Sequence, residues 1–144
     1  MAKKRTGEPW RPAPEYAATL SGLSVNLLVP DIAAALAFHN HVLGAETVYS
    51  DPDFAVLRFA GAEWCLHADH TYQDHPLHGS LGPELGRGIG AELRLHGRDP
   101  DVAEAAARER DFVVLAGAMD KPHGLREAYI LDNSGYLWVP DVPL

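Results

Sequence analysis

Residues 29–48, VPDIAAALAFHNHVLGAETV, carry the strongest structural signal in the chain. Pro30 ends an apolar segment, Asp31 can cap a helix, and Gly44 is a typical helix stop. Between Asp31 and Gly44, apolar side chains recur at helical spacing, at Ile32, Ala35, Leu36, Val42 and Leu43. This spacing predicts an amphipathic helix, and the ETV that follows begins a strand.

Strand patterns lie on both sides of this helix. Before it, LSVNLLV (23–29) alternates two sets of side chains, with Leu23, Val25, Leu27 and Val29 on one face and Ser24, Asn26 and Leu28 on the other. Such alternation predicts a half-buried strand. After the helix, three further strands are predicted at 46–51, 54–61 and 63–69, separated by turn residues at 51–53 and at Gly61.

The same order of elements recurs about 65 residues later. AELRLH (91–96) alternates like a strand and DPDVAEAAARERD (99–111) has the pattern of a capped helix. Three more strands are predicted at 112–120, 126–132 and 136–142. Two copies of one unit can each curl a sheet and enclose a cleft. We therefore divide the chain into an N-terminal arm (1–20), module one (21–78), a joint (79–89) and module two (90–144).

Composition excludes several classes of function. The chain has 144 residues, 47% hydrophobic and 22% charged, which is typical of one globular domain. Its formal charge of −8 disfavours binding to nucleic acid or anionic lipid. No apolar run approaches the roughly 20 residues of a membrane span. A single cysteine and the lack of a signal-peptide pattern favour a cytoplasmic location. The arm is basic, with three prolines, and is expected to be either mobile or packed on the domain.

Residues 29–48 resemble the first-module signature of the vicinal oxygen chelate superfamily, which includes glyoxalase I, bleomycin-resistance proteins and extradiol dioxygenases. In that signature an aspartate opens a helix that ends in Phe-Tyr-x-x-x-Leu-Gly. Residues 123–139, HGLREAYILDNSGYLWV, are similar to the superfamily's closing hairpin with its Asp-Pro-x-Gly-Tyr turn. His39 stands where the family usually has tyrosine, and Asn133 where it usually has proline. The resemblance covers residues 22–142.

The resemblance implies an α+β fold in which two βαβββ modules form a half-open, mixed eight-stranded barrel around a ligand cavity, often within a homodimer. In metal-dependent members four inward positions bind the ion, and here they correspond to Ser24, Cys65, Glu92 and Val139. Valine has no donor atom, and a thiol does not suit the Mg, Mn or Fe of related enzymes. We expect no metal in that place. His67 shares the face of Cys65, so a zinc site of Cys65, His67 and Glu92 stays open as an alternative.

The inner face of module two has two interpretations. Glu92, Arg94 and His96 share one face of their strand. Glu92 and Arg94 could form a structural ion network with each other or with Arg126 and Glu127. Alternatively, Arg94 binds an oxygen of a ligand while Glu92 serves as general base, which makes Glu92 the candidate catalytic residue.

Aromatic and histidine side chains complete the sequence-based expectations. By parity Trp64 and Trp138 belong to the core, while Tyr72 is expected at the rim of a cavity. In WCLHADHTYQDHPLHG (64–79) only Cys65 and His67 are expected to face the cavity, and three further histidines to form a solvated rim. The helix histidines His39 and His41 are expected to be a partly buried or surface pair. The rim histidines are His70, His75 and His78.

Two functions of different class follow from this pattern. The first is a small-molecule binder, similar to bleomycin-resistance proteins, without a catalytic metal and with a drug or metabolite in the inter-module cavity. The second is a glyoxalase-type lyase or isomerase with a rearranged Cys/His/Glu site, so whether the protein is an enzyme stays open. A role as an oligomerisation module is a third possibility. The candidate ligand-binding residues are Ser24, Asn26, Cys65, His67, Glu92, Arg94 and Val139.

Overall fold

A computed structural model describes residues 5–81 and 86–144. The first four residues of the predicted arm and residues 82–85 of the predicted joint lie outside the described residues. Within them, no helix has the length and hydropathy that crossing a membrane requires. The helices are α1 (Ala13–Ala17), α2 (Ile32–Ala37) and α3 (Pro100–Glu109). The strands are β1 (Asn26–Val29), β2 (Glu46–Ser50), β3 (Phe54–Phe59), β4 (Ala62–Ala68), β5 (Leu93–His96), β6 (Val114–Asp120), β7 (Leu125–Leu131) and β8 (Leu137–Pro143).

The strands form two four-stranded sheets with the same internal order, β1-β4-β3-β2 and β5-β8-β7-β6. In each sheet the first strand runs parallel to the last strand of its module, as β1 with β4 and β5 with β8. Antiparallel pairs such as β3 with β4 and β7 with β8 complete the mixed sheets. The α+β class and the repeated βαβββ order predicted from the sequence are confirmed.

By compactness the chain divides into two units. Unit 1 contains the described residues up to Ala33 together with Thr47–Leu81, and unit 2 contains Ala34–Glu46 with the described residues beyond position 85. Trp64 is buried in unit 1 and Trp138 in unit 2, which agrees with the expectation from parity.

The first strand is shorter than the alternating pattern predicts. β1 begins at Asn26, and Leu23 is 93% exposed, so its predicted place on the buried face is wrong. Leu27, Leu28 and Val29 are buried in succession. A strand that is covered on both faces has a continuous apolar run rather than an alternation, and this explains the difference.

The first helix changes its winding before it ends. α2 passes directly into a π-helical turn, Phe38–Val42, and Gly44 follows in the left-handed region with φ +68°. The wider turn directs both Phe38 and His39 inward, and His39 is only 1% exposed. The predicted partly buried or surface pair is therefore wrong for His39, although His41 is exposed. The His39 ring lies 5.3 Å from the Trp138 ring, and burial lowers its pKa to about 3.

The closing hairpin depends on one buried carboxylate. Asp132 accepts hydrogen bonds from the backbone N–H groups of Ser134 and Tyr136, at 2.9 and 3.0 Å. It also accepts one from the indole N–H of Trp138 at 3.1 Å. These bonds connect the predicted turn at Asn133-Ser134-Gly135 to the buried indole. They explain why an aspartate stands directly before the turn.

Candidate functional site

The described part of the N-terminal arm, residues 5–20, packs on the sheet of unit 1. Arg5 donates to the carboxylate of Asp51 at 2.8 Å. The backbone N–H and the hydroxyl of Thr6 donate to Asp53 at 2.8 and 2.9 Å. Further along, Trp10 stacks on Tyr49 with ring centroids 5.0 Å apart and planes 10° from parallel. Of the two expected states of the arm, the structure therefore has the packed one.

A cavity of about 330 Å³ lies between the arm and the β1, β3 and β4 face of unit 1. This volume is at the small end of the range of small-molecule sites, about 300–1,000 Å³. We call it the arm cavity, because the arm supplies more than half of its lining. The lining residues are Arg5, Pro9, Trp10, Arg11, Ala13, Tyr16, Ala17, Leu20, Ser24, Val25, Asn26, Phe54, Cys65, His67 and Thr71.

Tyr16 is one of the polar residues in the wall of this cavity. Its hydroxyl donates to Glu63 at 2.8 Å and lies 3.4 Å from the sulfur of Cys65. Because that single proton is directed at Glu63, the thiol is the donor in the contact with Cys65. Burial raises the pKa of Tyr16, and the hydrogen bonds to Cys65 and Glu63 raise it further. Tyr16 therefore faces the cavity as a neutral phenol.

His67 also lines the cavity and lies among aromatic rings. Its imidazole lies 4.8 Å from the ring of Phe54 and 4.9 Å, edge-on, from that of Tyr72. Its Nδ1 contacts the side-chain oxygen of Asn26, whose amide donates to the Tyr72 hydroxyl at 3.3 Å. Four predicted ligand-binding residues thus line one cavity: Ser24, Asn26, Cys65 and His67.

The remaining histidines of residues 64–79 have different surroundings. The side chain of His70, which was expected in a solvated rim, is 41% exposed, and its Nε2 lies 2.7 Å from Asp53, whose side chain is 1% exposed. The buried carboxylate requires such a partner. His75 accepts a hydrogen bond from the backbone of Leu77 at 3.0 Å, and His78 is exposed.

In unit 2 Arg94 is bound by carboxylates. Its guanidinium donates to Glu127 and, at 3.3 Å, to Asp141, and both acids are 1% exposed. Glu92 lies further away at 3.5 Å and is 44% exposed. Arg126, which was one suggested partner in this network, instead pairs with Asp101 and Asp120.

The Arg94 cluster also includes Asp141, His123 and Tyr129, which sequence reasoning did not place there. Burial alone would raise the pKa of Glu127, but hydrogen bonds from Tyr129, Arg94 and His123 lower it to about 2. His96 contacts Asp141 at 2.8 Å, and these two residues are paired in the β5–β8 register. A signal for Asp141 did exist, since it lies two residues beyond Val139 on the same face of β8.

Solved structures similar to this chain have one fold in common. A glyoxalase/bleomycin resistance protein/dioxygenase family enzyme from Burkholderia phytofirmans PsJN has a TM-score of 0.67 and 18% identity, over 84% of this chain and 97% of that one. A glyoxalase/bleomycin resistance protein/dioxygenase from Nocardioides has a TM-score of 0.61 and 19% identity, over 91% of each chain. A glyoxalase-related enzyme from Fulvimarina pelagi has a TM-score of 0.64 and 17% identity, over 85% and 88%.

The chain has the vicinal oxygen chelate fold. Comparison with family sequence models and with curated protein sequences finds no match. The resemblance in residues 29–48 and 123–139 is therefore confirmed at the level of the fold. At these identities, the likeness does not extend to the activity of the similar proteins.

The superfamily's metal positions do not make a donor set suited to its usual ions. Val139 has no donor atom and is fully buried, while Cys65 contacts the Tyr16 hydroxyl. Glu92 contacts Arg94, a cation that competes with any metal for the carboxylate. Among residues 5–81 and 86–144, no three His, Cys, Asp or Glu side chains are grouped to hold an ion.

The main residues that sequence reasoning missed are in the arm. Arg11 and Tyr16 line the cavity beside Trp10, yet their segment has no strand or helix periodicity over most of its length. Its short helix α1 has a proline in its first turn and no buried residue. The aromatic pair six residues apart was the only available hint, and such a pair does not specify which surface it covers.

Proposed function

We propose that the protein binds a small organic molecule in the arm cavity and does not require the superfamily's metal to do so. One observation carries the proposal, namely a cavity of about 330 Å³ whose wall combines aromatic faces with a few polar groups. This composition is typical of small-molecule sites, in which flat apolar surface supplies affinity and convergent polar atoms fix orientation. The protein would then act like the bleomycin-resistance proteins its sequence resembles, by holding a drug or metabolite unchanged.

A cavity-filling variant tests this proposal. Ala17 lines the cavity, whereas its neighbour Ala18 does not, and both are exposed in or just after α1. Native mass spectrometry of untagged protein should detect a small molecule that copurifies with the wild-type chain and with Ala18→Trp. Ala17→Trp should lose it, because the indole occupies the cavity. Equal occupancy in the two variants, or no bound molecule in any preparation from its native host, contradicts the proposal.

The alternative from the sequence is a metal-dependent lyase or isomerase with Cys65, His67 and Glu92. It is favoured by one observation, that Cys65 and His67 line the same cavity. Metal analysis of untagged protein distinguishes the two functions. A stoichiometric divalent ion that is lost in Glu92→Gln would support the alternative, and a metal-free protein with full ligand occupancy would support the binder. The homodimer and the cytoplasmic location stay predictions.

A further inference from the structure

The charged residues that line the arm cavity are of one sign. Arg5 and Arg11 are among its described lining residues, and aspartate and glutamate are not. The chain as a whole has 20 acidic and 12 basic residues, so this wall is opposite in charge to the protein average. A locally basic wall in an acidic protein favours an anionic ligand, because the local potential dominates at contact distance.

Acidic side chains near the cavity already have cationic or hydrogen-bonding partners. Asp51 pairs with Arg5 at 2.8 Å. Asp53 accepts two hydrogen bonds from Thr6 and contacts His70. On the other side, Glu63 accepts from Arg58 at 2.9 Å as well as from Tyr16. These carboxylates are therefore balanced locally, and they also neutralise Arg5.

Arg11 is the cavity-lining cation that does not take part in these ion pairs. Its guanidinium carbon lies 5.5 Å from the centre of the Trp10 ring and 5.9 Å from that of Tyr16. Within the part of the chain that the structure describes, these ring faces are its contacts, and it forms no ion pair or hydrogen bond there. A half-buried guanidinium that lies on aromatic faces keeps its N–H donors available, since the rings do not accept hydrogen bonds from the N–H groups in the plane of the guanidinium.

The walls also select a shape. Trp10 is held flat against Tyr49, and Phe54, which contacts Tyr49, forms a tilted pair with His67 with centroids 4.8 Å apart. Aromatic rings that line a small cavity suit a planar ligand ring, which can stack on them or meet them edge-on. Asn26 adds an amide that can orient a polar edge of that ring.

From this arrangement we infer that the ligand of the arm cavity is a small planar anion, such as an aromatic carboxylate, whose acidic group pairs with Arg11. The inference rests on the proposed function and names the class of molecule that the site takes. A guanidinium and a carboxylate can form two parallel hydrogen bonds, which gives this pair both direction and strength. Basic drugs are disfavoured in the same site, although the acidic protein surface would attract them.

Calorimetric titration of the full chain with matched probes tests the inference. The probes are 2-naphthoate and its neutral near-isostere 2-naphthamide. Wild-type protein should bind the carboxylate at least about tenfold more tightly than the amide, as expected for one charge-assisted hydrogen-bonded pair. Arg11→Gln should remove that preference and Arg11→Lys should retain part of it. Arg110→Gln, which changes an exposed arginine outside the cavity lining, should leave it unchanged.

Each other outcome overturns the inference. Equal affinity for the two probes, or a preference that persists in Arg11→Gln, means that Arg11 does not select the anion. If neither probe binds, the ligand class is wrong, and the proposed function is then judged separately by the molecule that copurifies with Ala18→Trp but not with Ala17→Trp. Detection of a neutral or cationic copurified molecule would support the binding function and reject the anion.

Discussion

Asp53 shows how much one side chain contributes to this site. It is 1% exposed and accepts three hydrogen bonds or contacts, from the backbone and hydroxyl of Thr6 and from His70, with Arg5 at 3.7 Å. Burial by itself raises the pKa of Asp53, but these partners outweigh burial and lower it. From the sequence, Asp51-Pro52-Asp53 indicated only a turn, because a local pattern does not show that a distant segment will dock there.

Replacing Asp53 tests whether this carboxylate holds the arm. Asp53→Ala should lower the free energy of unfolding by about 1–3 kcal/mol, because His70 and the Thr6 N–H lose a buried acceptor. Urea denaturation measures this change, and limited proteolysis should cut the arm faster. Asp120→Ala removes a 63% exposed partner of Arg126 and should cost less than about 1 kcal/mol. Equal losses in the two variants would show that Asp53 has no special role.

At the same scale, side chains whose surroundings follow from their own strand were predictable, and the others were not. Alternation along β4 and β8 was enough to place Trp64 and Trp138 in the core. The buried state of His39 depends on a π-helical turn, and the spacing of apolar residues cannot distinguish such a turn from an α-helix.

Helix α3 is the element in which sequence and structure agree most closely. The sequence predicted a capped helix over 99–111, and the structure has α3 with Asp99 as its N-cap. The Asp99 carboxylate accepts from the backbone N–H groups of Asp101 at 2.8 Å and Val102 at 3.3 Å. Pro100 is the first residue of the helix, where its missing N–H costs nothing. Every contribution is local, which is why the sequence was sufficient.

Removing the cap gives a prediction for this element. Asp99→Ala should lower the free energy of unfolding by about 0.5–2 kcal/mol, since two N–H groups of the first turn lose their acceptor. Thermal denaturation followed by circular dichroism measures the loss. Glu109→Ala, at the exposed end of the same helix, should change stability by less than about 0.5 kcal/mol. An Asp99→Ala variant with the same free energy of unfolding as the wild type would mean that packing rather than capping stabilises α3.

For the molecule as a whole, two buried groups with shifted pKa values should contribute to acid sensitivity, and their contributions begin at different pH values. His39 is neutral in the fold with a pKa of about 3, against its ordinary 6.5. Between these two pH values the unfolded chain binds a proton at His39 and the folded chain does not. The free energy of unfolding therefore falls as the pH drops below about 6.5. Glu127 has a pKa of about 2, against 4.5, so its contribution is complete above 4.5 and is lost only below that value.

The contribution of His39 can be isolated by substitution, because it begins at a higher pH than that of Glu127. His39→Phe should flatten the decline in the free energy of unfolding between pH 7 and 5, which approaches ~1.4 kcal/mol per pH unit where one proton is taken up. Chemical denaturation at pH 7, 6 and 5 measures the slope. His41→Gln, at an exposed position of the same turn, should keep the wild-type slope. If His39→Phe also keeps it, another group is responsible for the acid sensitivity.

The fold was predictable from the sequence, but the cavity was predictable only in part. A repeated order of helix and strand patterns is visible at the level of residue types, and it was sufficient for the α+β class and the two modules. The resemblance implied Ser24 and Cys65 as inward positions, and alternation along their strands added Asn26 and His67; all four line the cavity. The arm contributes irregular chain and the short helix α1, whose position depends on long-range contacts such as that of Trp10 with Tyr49.

The arm lies outside the βαβββ repeat, yet it supplies more than half of the cavity wall. Under the proposed function, substitutions in residues 9–20 would alter which ligand is bound while the sequence of the sheets stays constant. Exchanging the N-terminal segment between proteins of this fold becomes a route to new binding specificities, because the sheets themselves are not altered.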